Sequence, residues 1–215
     1  MRGLTLAAMT RHRLPLSLLL VAAVVSPTTP ALADGPADPY TLRPSVMAGL
    51  LQWIAFGGGN LAGQVKVGRA VLEYSHGQAL DFSRSGGFAL SQRERDEGAK
   101  AGMRWTTGGG AGLQITPRLH VLIEVKAHRV ELTARDRNQV AAYTAYTVGP
   151  GIFYDLYVAG GFFVQPNVRY WPTVASTYKR ADATFVRADG TSYTLPRHDN
   201  PLFVNVNVGC TFAGL

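Results

Sequence analysis

Residues 155–171 read DLYVAGGFFVQPNVRYW, and taking every second side chain separates them into two sets. Val158, Gly160, Phe162, Val164, Pro166, Val168 and Tyr170 fall on one face, while Gln165, Asn167 and Arg169 fall on the other. A period of two is the signature of a strand with one apolar and one polar face. Alternation sustained over so many residues is long for a soluble sheet but suits a strand tilted across a bilayer, which needs roughly 9–11 residues. The aromatic residues at its ends, Tyr157 and then Tyr170 and Trp171, are expected at the two membrane interfaces.

Working outward, the same pattern recurs. Leu119, Val121, Ile123, Val125 and Ala127 oppose His120, Glu124, Lys126 and His128. Leu202, Val204, Val206, Val208, Cys210 and Phe212 oppose Phe203, Asn205, Asn207, Gly209 and Thr211. Between Trp105 and Thr116, Ala111, Leu113 and Ile115 share one face, and Gly108, Gly110, Gly112 and Gln114 the other, so this strand leaves room on its polar side. In 61–74 the phase flips near Gly68, which reads as a bulge. The run 46–56 is apolar without alternation and fits either a strand or a short helix.

The expected strands are 46–56, 61–74, 79–90, 104–116, 119–133, 140–154, 157–171 and 201–212. Short turns at 116–118 and 154–156 contrast with charged or irregular loops at 91–102, 134–139 and 173–200, and within the last of these Asp189-Gly190 marks a hairpin. An even strand number, with short turns at one end and long loops at the other, predicts an all-β fold. Its form is an antiparallel up-and-down transmembrane β-barrel of eight strands.

The first 33 residues carry Arg2, Arg11 and Arg13 ahead of the apolar run 14–25, then Ala31-Leu32-Ala33. That is the form of a cleaved secretory signal peptide, with cleavage after Ala33. Residues 34–44, with three prolines, read as a periplasmic lead-in, and 45–215 as the barrel domain. Removing the signal takes away three arginines and no acid, so the formal charge falls from +7 to +4. With basic residues scattered among acids in an exported chain, nucleic acid is not an expected partner. Cys210 stands alone, which leaves no internal disulfide and no multi-cysteine metal site.

The closing segment Asn207-Val208-Gly209-Cys210-Thr211-Phe212 resembles the terminal-strand signal of the small eight-stranded outer-membrane β-barrel proteins of Gram-negative bacteria: a polar residue, glycine, then an aromatic. The chain departs from that pattern by ending Ala213-Gly214-Leu215. The resemblance implies a cell-envelope, porin-like protein of the outer membrane. Its partners would be outer-membrane lipid and the barrel assembly machinery, which would read Asn207, Gly209 and Phe212. The loops 91–102 and 173–200 would face outside and meet any extracellular ligand.

The polar faces are expected to line the lumen as a salt-bridge network of Lys66, Arg69, Glu73, His120, Glu124, Lys126, His128, Gln165, Asn167 and Arg169. A metal site is not expected, because residues 120 and 124 on one strand lie about 13 Å apart; no cofactor is implied either. Ser75-His76 invites comparison with outer-membrane lipid A deacylases, which resemble one another around His-x-Ser-Asn; here Ser precedes His and no Asn follows. Adjacent strand residues point to opposite faces, so a catalytic pair would need a turn at Gly77. The function expected is therefore non-enzymatic, structural or surface-interacting through the loops. A lipid-modifying enzyme and a carrier of a small apolar ligand are the alternatives.

Overall fold

The computed structural model describes residues 41–84, 90–134, 139–198 and 200–212. The signal peptide, most of the lead-in, Gly86-Gly87, most of the 134–139 loop and the terminal Ala213–Leu215 lie outside the described residues. In chain order the elements are β1 (Leu42–Gly49), α1 (Leu50–Phe56), β2 (Gly59–Val67), β3 (Ala70–Asp81), α2 (Gln92–Asp96), β4 (Lys100–Gln114), β5 (Leu119–Thr133), β6 (Val140–Tyr154) and β7 (Leu156–Tyr157). They continue with β8 (Phe162–Tyr170), β9 (Thr173–Ser176), a 3-10 helix (Arg180–Ala183), β10 (Thr184–Val186), β11 (Ser192–Thr194) and β12 (Leu202–Thr211).

Strands β1 to β6, β8 and β12 form one antiparallel sheet in which each pairs with its neighbours, from β8–β12–β1 through to β6. The sheet closes where β6 meets β8, with Gly151, Ile152 and Phe153 opposite Arg169, Val168 and Asn167. Closure gives each of these eight strands a neighbour on both sides. The fold is thus an eight-stranded antiparallel up-and-down barrel. Both described chain ends lie on one rim, where Ser45 pairs with Thr211. The connections 68–69, 115–118 and 155–161 share that rim. The opposite rim carries α1 and the connections 82–99, 134–139 and 171–201.

Polarity is inverted relative to a water-soluble protein. Gln64, Lys66, Glu73, His120, Glu124, Lys126, Gln165, Asn167, Arg169, Asn205 and Asn207 are each at most 5% exposed and point inward. Leu61, Leu72, Ile123, Val125, Ile152, Val168 and Val204 are each 46–60% exposed and point outward. Apolar side chains gain by leaving water, so an apolar exterior around a polar interior is stable in lipid and costly in solution. With this exterior the barrel is a transmembrane one.

Several expected elements are placed differently. The phase flip at Gly68 is a hairpin and not a bulge: Val67 pairs with Ala70. Gly68 has a φ of 53°, as a two-residue turn with glycine at its first central position requires. One long strand thereby becomes two, and the strand expected over 79–90 ends instead as β3 at Asp81. Ala79, φ 57°, has no pairing partner in β4 although the register is kept from Gln78 to Leu80, and the bulge lies opposite it in β4, where pairing with β5 shifts by one residue between Met103 and Trp105. The stretch 46–56 is strand to Gly49 and helix from Leu50, stopped by Gly57 in the left-handed conformation at φ 67°. β1 opens at Leu42, inside the expected lead-in.

The 155–171 stretch is itself a hairpin. Gly160 and Gly161, at φ 54° and 84°, turn β7 back onto β8, where Leu156 pairs with Val164. The charged segment 91–102 contains α2, opened by a reciprocal cap: Ser91 Oγ accepts from the Glu94 N–H at 3.3 Å, and the Ser91 N–H donates to Glu94 Oε2 at 2.7 Å.

Candidate functional site

The lumen is built row by row across the strands. In one row Glu73 of β3, Gly110 of β4 and Glu124 of β5 stand side by side; in the next are Ser75, Gly108 and Lys126. Because β4 presents glycine at both rows, the long side chains of β5 lie across it. A Cβ at Gly108 would come within 2.1 Å of Val125 O and 3.0 Å of Lys126 Cδ. One at Gly110 would meet Glu124 Cγ at 2.8 Å. Through this gap Lys126 Nζ donates to Ser75 Oγ at 2.6 Å while pairing with Glu124 Oε1 at 3.3 Å.

Arg169 enters from β8 and ties both carboxylates together. Its Nη2 donates to Glu73 Oε1 at 3.3 Å, and its Nε lies 3.7 Å from Glu124 Oε2. The guanidinium lies over Phe153 at 4.8 Å and Trp171 at 5.2 Å, and Trp171 Nε1 donates to Glu124 Oε2 at 3.0 Å. Toward the short-turn rim, Lys66 pairs with Asp155, which also accepts from Gln165 Nε2 at 2.8 Å. Asn207 Nδ2 donates to Gln165 Oε1 at 2.8 Å and Asn205 Nδ2 to Asn207 Oδ1 at 2.7 Å. Three cations, Lys66, Lys126 and Arg169, thus face three anions, Glu73, Glu124 and Asp155. Buried charge matched in this way avoids the cost of an isolated ion.

Lys66, Glu73, His120, Glu124, Lys126, His128, Gln165, Asn167 and Arg169 all lie in the lumen. Arg69 does not. It sits exposed in the β2–β3 turn, where its Nε donates to Gln114 O at 3.2 Å, because the two-residue turn takes it out of the inward phase. The two histidines do not converge. His120 stacks on Phe153 at 5.0 Å and bonds Gln64, while His128 sits between the hydroxyls of Thr106 and Thr147 at 2.8 and 2.9 Å. Ser75 faces inward and His76 is exposed outside, so they form no pair. Trp171 turns into the barrel and Tyr157 packs on Phe163, which leaves Tyr170 alone of the three expected interfacial aromatics facing out.

Among the lumen groups outside the set expected from alternation are two that hold the charged network together, Asp155 and Trp171. Asp155 and Trp171 share the odd-numbered inward phase of Phe153 and Arg169, but the one resembles a turn residue and the other an interfacial aromatic. Glu94 is marked in the sequence by its capping box, Ser91-x-x-Glu94.

Above Ser75, His128, Arg169 and Trp171 the lumen opens into a cavity of about 500 Å³ reaching the loop rim, walled by Phe56, Leu80, Met103, Val130, Ala145 and Phe203. The 171–201 connection folds over one side of this mouth. Ala183, Phe185 and Leu195 are buried against Ala101, Val130, Leu132, Ala141 and Tyr143 of β4 to β6. Phe185 pairs with Tyr193 across the expected Asp189-Gly190 hairpin. An ion pair fastens it to the 82–99 connection, Arg187 to Glu97 through two bonds, one of them 2.9 Å, and beside it His198 Nε2 lies 2.9 Å from Glu94 Oε1. The Glu97 bond raises the pKa of Arg187 further, and hydrogen bonds from Thr191 hold Asp189 below the usual carboxylate range. Burial pushes the Tyr178 phenol up.

Closed strand pairing, an apolar outer band and a charge-matched interior define the class: an eight-stranded transmembrane β-barrel with paired charges buried in its lumen. Neither a protein-family model nor a curated protein matches the chain. Among solved structures it is similar to a major outer membrane protein from Thermus thermophilus, at 14% identity over 80% of this chain and 100% of that one, with a TM-score of 0.44. A likeness that distant carries none of the argument, which stands on the pairing and burial above.

Proposed function

We propose that this protein is a non-conducting integral barrel of the outer membrane that acts at its loop face, through surface interaction and without chemistry. The observation carrying the reading is the interior: charged and amide side chains are buried against one another across the section between Ser75 and Asp155. Eight strands enclose a lumen that side chains can fill, and here they fill it with paired charges. Export by a signal peptide ending at Ala33, delivery by the barrel assembly machinery through Asn207, Gly209 and Phe212, and loops 91–102 and 173–200 facing outside complete the proposal.

Two measurements test it. The barrel reconstituted in planar bilayers should give no steady conductance while migrating on gels in a heat-modifiable way. Regular ion-conducting steps that persist in a homogeneous preparation would falsify the occluded lumen. Reactivity of a cysteine placed at Ala188 toward an impermeant label on intact cells tests the orientation. Labelling seen only after the outer membrane is permeabilised reverses it.

A further inference from the structure

We infer that the loop-side cavity is a binding site for a small uncharged amphiphile: an apolar chain among the aliphatic and aromatic walls, with an amide or ester head on the floor at Ser75 and Arg169. The inference deepens the loop-face role proposed above and rests on it.

At about 500 Å³ the cavity lies within the roughly 300–1,000 Å³ of small-molecule sites. It has the mixed lining such sites show, with an apolar wall and a few convergent polar groups. Three of these groups retain unused capacity. Arg169 is 2% exposed, and of its five N–H groups one makes a hydrogen bond among the described residues, to Glu73; Nε has no hydrogen-bond acceptor there, Glu124 being 3.7 Å away. Ser75 accepts from Lys126, which leaves its hydroxyl hydrogen to donate. Gln52 of α1 is 3% exposed, lines the cavity, and its Oε1 has no hydrogen-bond donor among the described residues. His128, by contrast, is spent on Thr106 and Thr147.

Charge decides the kind of head. Glu73 and Glu124 already balance Lys126 and Arg169, so a carboxylate would add an uncompensated buried charge, whereas a carbonyl accepts the same donors without one. An amide adds N–H groups of the kind that Gln52 Oε1 lacks.

Trp171 on the floor reports occupancy. With Trp53 and Trp105 changed to Phe, the barrel in lipid nanodiscs is titrated with dodecanamide brominated at carbon 5, on the half of the chain next to the head, where bromine quenches the nearby indole. We expect saturable quenching at one molecule per barrel, lost when Val130→Phe fills the cavity, with Ala145→Phe as the second filling variant should the first misfold. Ser75→Ala should weaken binding about tenfold, a loss of about 1.4 kcal/mol. The equally brominated dodecanoate should bind at least tenfold more weakly. Quenching that rises linearly and is indifferent to both filled variants is bilayer partitioning and overturns the site. Carboxylate binding as tight as the amide overturns the uncharged head. Heat-modifiable migration and absence of conductance, read on the same nanodisc-ready protein, keep a failure here separate from a failure of the barrel assignment.

Discussion

At the scale of single residues the barrel depends on where β4 has no side chain. Gly110 lies between two carboxylates of one row, and its missing Cβ is the space in which Glu124 turns toward Lys126 and Arg169. Gly110→Val should therefore destabilise the barrel by roughly 1–3 kcal/mol through overpacking. Gly63, around which a Cβ would meet nothing within 4 Å, is the control, and Gly63→Ala should be nearly neutral. Denaturant unfolding in vesicles reads both. The two faces of β5 give a sharper contrast. Lys126→Met removes one partner of a buried ion pair and should cost about 3–5 kcal/mol, since Glu124 loses its nearest cation. Ile123→Arg puts a charge on the 55%-exposed lipid face and should cost about 2–4 kcal/mol if it lies near the midplane. A neutral Ile123→Arg beside a damaging Lys126→Met would mean that water, not lipid, meets the outer face.

At the scale of elements, the face of each strand is legible in the sequence while the ends of strands are not. Period-two alternation assigns Gln165, Asn167 and Arg169 inward and Val168 and Tyr170 outward, and so they are. Alternation persists through a two-residue hairpin with only a phase change, however, so Gly68-Arg69 reads as a bulge and Gly160-Gly161 as strand. The expected total of eight survives because splitting 61–74 in two compensates for 79–90, whose described residues extend β3 to Asp81 and add no strand of their own. The packing of the 171–201 connection is illegible for another reason. Its anchors, Phe185 and Leu195, gain burial from β4 to β6, residues far away in sequence. This connection is a strap with its own stability, and subglobal opening of such a segment is governed by its own contacts. Glu97→Ala removes the partner of Arg187 and should speed tryptic cleavage at Arg187 or Arg180 several-fold on intact cells, leaving barrel unfolding unchanged. Equal cleavage rates in both proteins would show that the ion pair does not hold the strap.

At the scale of the whole molecule, the last strand closes the barrel, and its end faces two demands. β12 pairs with β8 through nine residue pairs and with β1 through five. Beyond it Phe212 stands 51% exposed on the outside, its N–H donating to Pro44 O at 2.9 Å. Asn207, by contrast, is locked into the lumen, and Gly209 has Met47 Cβ and Phe163 Cζ where its own Cβ would be, 2.7 Å from each. Those two positions are demanded by packing whether or not any machinery reads them. Phe212 is not, because half of its surface touches no protein. Contact with lipid at the interface would contribute up to roughly 1.5–3 kcal/mol, enough to lower stability but not to abolish a barrel closed along eight seams. If Phe212 also belongs to the assembly signal, it acts before closure, and Phe212→Ala should deplete the protein from the membrane far more than it weakens what arrives. Refolding purified protein into detergent bypasses the machinery and separates the two effects. Near-normal refolding in vitro, together with unfolded protein accumulating in the periplasm, supports the signal; a parallel loss in both makes Phe212 a piece of the barrel wall and nothing more.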